Sequence, residues 1–506
     1  MKLQHSTLYQ LDSQLKIPNY DKTTLTQGIV HIGVGGFHRA HQAVYTNNLL
    51  MQPGCDSTWG ICGVGLRDSD KKMQQALKNQ DYLYSVVELS HNQDNNVSII
   101  GAINEFLFAP ENPEAVLEKL SDPTIKIVSL TITEGGYNID DSTGQFNTHH
   151  PDVAYDLLNP RTPKTVFGYL SMALNRRRKL GIKPFTVVSC DNLPHNGDVI
   201  KKALLSFVEL YDLTLKRWIA DNVTFPNSMV DRITPTTSET HKRWLSNAYQ
   251  LDDYWPVVCE PFSQWVIEDN FCNERPEWER VGVQFTSDVR PYELAKIRLL
   301  NASHTAMAYL GYLSGYQFVH EVMADNSLLR FIRDFMDQDV TPTLGDLKEI
   351  NIEDYKRLLI SRFSNQKIGD QIERLCLDGQ NKIPKFLIPI INDLISTNLS
   401  LDRTALIVAS WARYLLNDNK CEKIESDPAS IKLQNIIKND NQSIDKFLEL
   451  NDIFGREIIK SDRFVQLFNS YYIQLGSEGV AKTLDAYHRK SQLSTFEKQT
   501  KNEVFE

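Results

Sequence analysis

The sequence has few cysteines, no long apolar run and no excess of positive charge. Its seven cysteines, at 55, 62, 190, 259, 272, 376 and 421, include no C-x-x-C pair. An odd, scattered set in 506 residues argues against a disulfide framework and for a reducing compartment. The cysteines and histidines lack the clustered spacing of a zinc site, so no metal is expected. No stretch reaches the roughly 18 apolar residues that a membrane span needs. The opening segment, MKLQHSTLYQLDSQLKIP, lacks the apolar centre of a secretory signal, and a cytoplasmic protein is expected. Fifty-four basic residues against 64 acidic ones give a net charge of −10. Phosphate binding needs a basic face, so nucleic acid is excluded as the main partner. The densest basic run, Arg176-Arg177-Arg178-Lys179 before Gly181, reads as a solvated helix end that complements the helix dipole.

What is present is ordinary globular material, 41% hydrophobic and 23% charged, long enough for two or three domains. The first half alternates short β-branched runs with helical stretches, the pattern of a parallel sheet with crossover helices. Expected strands are Gly28–Gly33, Thr58–Val64, Ile125–Thr133 and Phe185–Cys190, each mostly apolar as strands buried on both faces should be. Expected crossover helices are His41–Met51, Ser69–Asn79 and Asn112–Leu120. Residues 223–290 are mixed, with short runs at Pro256–Glu260 and Val281–Phe285. From about Pro291 the segments Glu293–Leu310, Asn326–Asp337, Glu353–Phe363, Ile383–Ile395 and Arg403–Leu416 read as helices. The fold class is therefore α/β, a Rossmann-type N-terminal domain over 1–288 and a mostly α-helical domain over 289–506. The polar tail after Lys490 is the nearest thing to a disordered stretch.

Three segments could carry chemistry. In GIVHIGVGGFHRAH, residues 28–41, a buried strand meets a glycine turn and then a helix. Such a turn lets the backbone approach a pyrophosphate at the helix N-terminus. Gly33, Gly35, Gly36 and Phe37 are the candidates there, although His38 stands where a third glycine belongs. A carboxylate after the second strand would accept ribose hydroxyls and repel a 2′-phosphate, favouring NAD. Asp68 fits, and Asp70 is its rival. In PYELAKIRLLNASHTAMAYLGYL, residues 291–313, Asn301 and His304 fall ~140° and ~80° around an α-helix from Lys296. Apolar neighbours on most sides make that helix buried, and buried polar groups need partners or a ligand. In VVSCDNLPHNG, residues 187–197, a buried strand ends at Asp191-Asn192, where ligands gather in open α/β sheets; asparagine and aspartate are also routine turn formers.

These blocks, with SLTITEGGY, FPNSMVDRITP and EPFSQWVIEDNF, resemble the long-chain polyol (mannitol) dehydrogenases in the same order along the chain. The resemblance implies a metal-independent, NAD-dependent enzyme that interconverts D-mannitol and D-fructose at C2. It implies that Lys296 is the general base, that Asn192 and Asn301 stabilise the alkoxide, and that His304 holds substrate and lysine. Glu293 would couple the lysine to water, and Asp231, Arg374 and Lys382 would face the substrate. The partner is then a small polyol or ketose, with the protein a monomer or small homo-oligomer. Tyr292-x-x-x-Lys296 also matches the short-chain dehydrogenase pair, but no serine precedes it at the expected distance. His31, His38 and His41 read as core or capping residues. Fructuronate and tagaturonate reductases of the same family remain an alternative, with Arg374 or Lys382 as a carboxylate clamp; ICGVGLRD and ITEGGYNIDD favour a neutral polyol. A non-catalytic NAD-binding protein on the same fold is the other alternative.

Overall fold

The computed structural model describes residues 1–91, 94–140, 144–347, 350–416, 428–439 and 444–503; Cys421 and Asp141 lie outside them. The chain divides into two compact units, Met1–Arg290 and Pro291–Glu506.

The first unit is built on β1 (Gln27–Ile32), β2 (Gly60–Gly65), β3 (Ile103–Phe108), β4 (Ile127–Leu130) and β5 (Thr186–Ser189). All pairings are parallel, in the order β3-β2-β1-β4-β5, the Rossmann arrangement with its switch point between β1 and β4. Alternate residues feed opposite faces. Ile29, Ile61, Ile127 and Val188 enter one core with Leu49 and Trp265. Val30, Val64, Val128 and Val187 enter another with Leu117 and Phe207. The expected strands are all present, with ends displaced by one to three residues.

The crossovers are α1 (Gly36–Ala40) and α2 (Gln42–Leu50), α3 (Lys71–Lys78), α4 (Pro113–Ser121), then α5 (Pro151–Leu158) and α6 (Val166–Leu180); α7 (Asn196–Glu209) follows β5. Asn112 caps α4 by accepting the Ala115 N–H, with Pro113 in the first turn, where its missing N–H costs nothing. The mixed stretch supplies β6 (Ser228–Asp231), β7 (Gln264–Glu268) and β8 (Gln284–Thr286) in one sheet, and Val257–Cys259 beside Tyr84–Glu88 and Asn96–Ile100 in another. The basic run at the end of α6 departs from expectation. Arg177 is fully buried and donates to the carbonyls of Leu120, Asp122, Ile125 and Lys183. Carbonyls at the end of α4 and in the loops after α4 and α6 converge on this one guanidinium, which explains why a cation is drawn inside.

The second unit opens with α8 (Arg290–Ala295), Lys296–Asn301 and α9 (Ala302–Leu313), and continues through α10 (Asn326–Phe335), α11 (Ile352–Phe363), α12 (Ile372–Cys376), α13 (Ile388–Ser396), α14 (Asp402–Leu415) and α15 (Asp462–Glu503), which is broken by a kink at Gly479 (φ +78°, ψ 174°). Ala302, Ala306, Met307, Ala308, Tyr309 and Leu310 are buried around the whole circumference of α9. All five expected helices form, but three contain π-helical segments: Lys296–Asn301, Met336–Val340 and Ile383–Leu387. The tail after Lys490 is helical to Glu503, against expectation; after Gly479 it holds no glycine or proline to stop propagation. Arg403 on α14 forks onto Asp339 of the second π segment at 2.6 and 2.9 Å and donates to the Tyr487 hydroxyl of α15 at 2.7 Å.

Candidate functional site

In the first unit a cavity of about 1000 Å³ opens at the carboxyl ends of β1, β2 and β4. Gly33 and Gly35 form part of its wall; Gly36 and Phe37 are not in that wall, and Phe37 instead stacks on His41 at 4.9 Å. Gly33 has φ +91°, and a Cβ there would overlap the Thr131 carbonyl. Only glycine leaves this turn open to a ligand. The turn is also held from behind. The Thr131 hydroxyl donates to the Gly33 carbonyl at 2.7 Å, so it must accept from His31 Nε2 at 2.9 Å, which leaves His31 Nδ1 to accept from Ser129 at 2.8 Å. Burial holds His31 at a pKa of about 3, and hence neutral. Its ring stacks on that of His38 at 3.4 Å, which explains a histidine where close helix–strand packing normally asks for a third glycine.

Both candidate ribose carboxylates line the cavity, but they differ. The Asp70 carboxylate accepts the Arg67 N–H at 3.0 Å and so closes its own turn. Asp68 is exposed. An open turn, a carboxylate at the end of β2 and a cavity at the switch point together fit a dinucleotide.

At the end of β5 the exposed Asn192 follows a buried anchor. The Asp191 carboxylate accepts the Ile132 and Thr133 N–H groups at 3.0 and 2.9 Å and the Tyr137 hydroxyl at 2.7 Å. This ties the chain beyond β4 to the end of β5 and holds Thr133 at φ +63°, ψ 166°, a conformation that costs a β-branched residue energy. The Asn196 amide donates to the Asp191 and Ser228 carbonyls at 3.0 and 2.8 Å and accepts the Ser228 N–H at 2.9 Å. Buried Asp231 ends the same β6 strand that Ser228 begins. The Asn192 turn and the Asp231 strand therefore share one buried clamp.

In the second unit Glu293 and Lys296 are 6% and 8% exposed. The π-helical form of Lys296–Asn301 corrects the geometry expected of an α-helix. The Ala302 N–H bonds to the Ile297 carbonyl, five residues back. A turn that closes over five residues brings Lys296 and Asn301 far closer to alignment than ~140°. His304 packs on Phe363 at 4.7 Å. Burial lowers its pKa to about 4; Asp370 opposes this while Arg374, Arg362 and Lys382 add to it. Arg374 is forked onto Asp370 by two bonds of 2.7 Å. Lys382 donates to the Leu375 carbonyl at 3.0 Å, and burial, then the Arg374 charge, lower its pKa. His304, Arg374 and Lys382 thus share one electrostatic neighbourhood. Among the described residues no three His, Cys, Asp or Glu side chains are arranged to hold a metal ion.

Residues 27–280 match the mannitol dehydrogenase Rossmann domain, and residues 288–475 match the mannitol dehydrogenase C-terminal domain. The chain belongs to the mannitol dehydrogenase family. A mannitol 2-dehydrogenase of Aspergillus oryzae is 42% identical over 499 residues, 96% of this chain and 99% of the relative. Among solved structures, the ternary complex of Pseudomonas fluorescens mannitol 2-dehydrogenase with NAD and D-mannitol is 50% identical, covers 97% of this chain and 100% of its own, and superposes with a TM-score of 0.87. A D-sorbitol dehydrogenase in substrate-free form is 40% identical with the same TM-score, covering 96% and 100%. In this mannitol dehydrogenase family member, sequence reasoning overlooked Asn196 and the anchoring function of Asp191. Both stand inside the SCDNLPHNG block, but a single sequence cannot separate a turn former from a buried clamp.

Proposed function

We propose that this protein interconverts D-mannitol and D-fructose with NAD, using Lys296 as general base and no metal ion. The observation that carries the reading is the 50% identity, across 97% of the chain, to an enzyme solved with NAD and D-mannitol. The open Gly33 turn and the Asp68 carboxylate support NAD as the nucleotide. NAD bound there would supply the acceptor for the hydride that leaves C2 of the polyol. Lys296 takes the hydroxyl proton from the same carbon. An ordinary lysine, with a pKa of about 10.4, is protonated at neutral pH, so a lysine base needs surroundings that disfavour the charged form, and burial is of that kind. The amides of Asn301 and Asn192 are assigned to donate to the oxygen as it gains charge. His304, kept neutral by its lowered pKa, can orient a hydroxyl without adding positive charge. Glu293, one turn before the lysine, is assigned to relay the proton to water. Asp231, Arg374 and Lys382 are assigned to the remaining hydroxyls. In reduction, Lys296 as ammonium returns the proton to the carbonyl oxygen. The uronate-reductase alternative needs a cation for the substrate carboxylate; Arg374 is paired with Asp370, which leaves Lys382 as its clamp.

The test is the loss of NADH absorbance with D-fructose, beside L-sorbose and D-fructuronate, with and without chelator. Turnover with fructose, indifferent to chelator and reduced at least about a hundredfold in Lys296→Ala, is expected. Turnover with fructuronate alone would reassign the enzyme to uronates, and loss in chelator would restore a metal.

A further inference from the structure

π-helical turns are rare and concentrate at functional sites. In the helical unit the Lys296–Asn301 segment packs against both of the other two, Met336–Val340 and Ile383–Leu387. The residues assigned to chemistry are its first and last, and Arg298 stands between them. That side chain is only 14% exposed. Its Nη1 donates to the Thr343 carbonyl at 2.7 Å and to Asp393 Oδ2 at 2.5 Å. Thr343 lies three residues beyond the second π segment, and Asp393 lies on α13, which continues directly from the third. One guanidinium on the first segment therefore grips the chain that leaves each of the other two.

We propose that Arg298 is a positioning residue that locks Lys296–Asn301 in its π-helical form and thereby keeps Lys296 and Asn301 on one face. A continuous α-helix would make a regular hydrogen-bond ladder through this stretch, so the π form needs an outside contact that the α form cannot make. Turning the segment to α would swing Asn301 to ~140° from Lys296 and move Arg298 relative to Thr343 and Asp393. The Arg298 contacts run to a carbonyl and a carboxylate of the unit's own scaffold, so Arg298 acts through the segment rather than on substrate. The inference rests on the assignment of Lys296 as base.

The test uses the full-length protein with Arg298→Met, Arg298→Lys, Asp393→Asn and Lys296→Ala, read by NADH titration, steady-state kinetics against pH, and a crystal structure of Arg298→Met. Misplacement of about 1 Å can cost about a hundredfold, and Arg298→Met is expected to lose about that much kcat with NADH affinity unchanged. Its kcat limb for mannitol oxidation moves to higher pH, because a lysine released from its buried position returns toward its ordinary pKa. Its structure shows residues 296–301 as α-helix. Asp393→Asn keeps the Thr343 bond and shows the same shift with a smaller loss; Arg298→Lys recovers part of the activity. Wild-type kcat and pH limb in Arg298→Met, a retained π segment, or a loss matched by lost NADH-binding stoichiometry with an unmoved limb overturns the proposal. Should Arg298→Met fail to fold, wild-type kcat and limb in Asp393→Asn overturn it instead. An active Lys296→Ala removes the base assignment and this proposal with it, whereas an inactive Lys296→Ala beside wild-type-like Arg298 variants removes this proposal alone.

Discussion

Asp68 and Asp70 show how two equivalent letters acquire different work. Asp70 is occupied with the Arg67 N–H, so its loss should disturb the turn first. Both line the cavity, and the exposed Asp68 is the one proposed to accept ribose hydroxyls. Hydrogen bonds to a charged group are each worth about 1.5–3 kcal/mol. Asp68→Ala should therefore raise the NADH dissociation constant at least about tenfold and narrow the preference over NADPH, both read by fluorescence titration. Asp70→Asn should lower the melting temperature more than Asp68→Ala does. Spacing alone could not rank these residues, because the choice depends on which carboxylate the backbone uses. The Lys296, Asn301 and His304 helix was legible because its apolar residues surround it. Its true angles were not, since nothing in the letters distinguishes a π-turn from an α-turn.

At the scale of elements, the ends of β4 and β5 are joined by one carboxylate. Asp191→Asn replaces an acceptor of three hydrogen bonds with a side chain whose NH₂ must face a backbone N–H or a hydroxyl. A buried group left unsatisfied costs about 1–3 kcal/mol. The variant should unfold at lower urea by about that amount and bind NADH more weakly, as Thr133 relaxes from its positive φ. If urea stability and NADH affinity both match the wild type, Asp191 is not the anchor. The parallel strands were legible because each is buried on both faces and reads as a continuous apolar run. The sheet of Tyr84–Glu88, Asn96–Ile100 and Val257–Cys259 was not, because its strands are short and one comes from 157 residues or more away in sequence. The helical half was legible through its period, but three of its helix ends were blurred where π-turns break that period.

Across the whole molecule, both units bury neutral histidines. Burial lowers His31 to about 3 and His304 to about 4, and burial with neighbouring His31 and Arg39 lowers His38 as well. An unfolded chain binds these protons near 6.5. Between about 6.5 and 4 the unfolded state therefore holds more protons than the folded one. Stability is full above that window and is lost as pH falls through it. The melting temperature should drop steadily from pH 7 to 4.5. Calorimetry at pH 5.5 in buffers of different ionisation heat should show net proton uptake on unfolding: the three histidines take up on the order of two to three protons, offset in part by release from Asp339, whose pKa burial raises to about 6. Absence of that uptake would mean that these histidines are already charged in the native protein.

A helix that carries a π-turn is one residue longer than its ladder requires. Excising a single residue between Lys296 and Asn301 should let α8 and α9 run together as one regular helix. Such a shortened protein is expected to melt no lower than its parent and to turn nothing over, a trade of activity for regularity. For this helix, one residue of extra length makes a working bend out of an inert rod, and the grip of Arg298 keeps that bend in place.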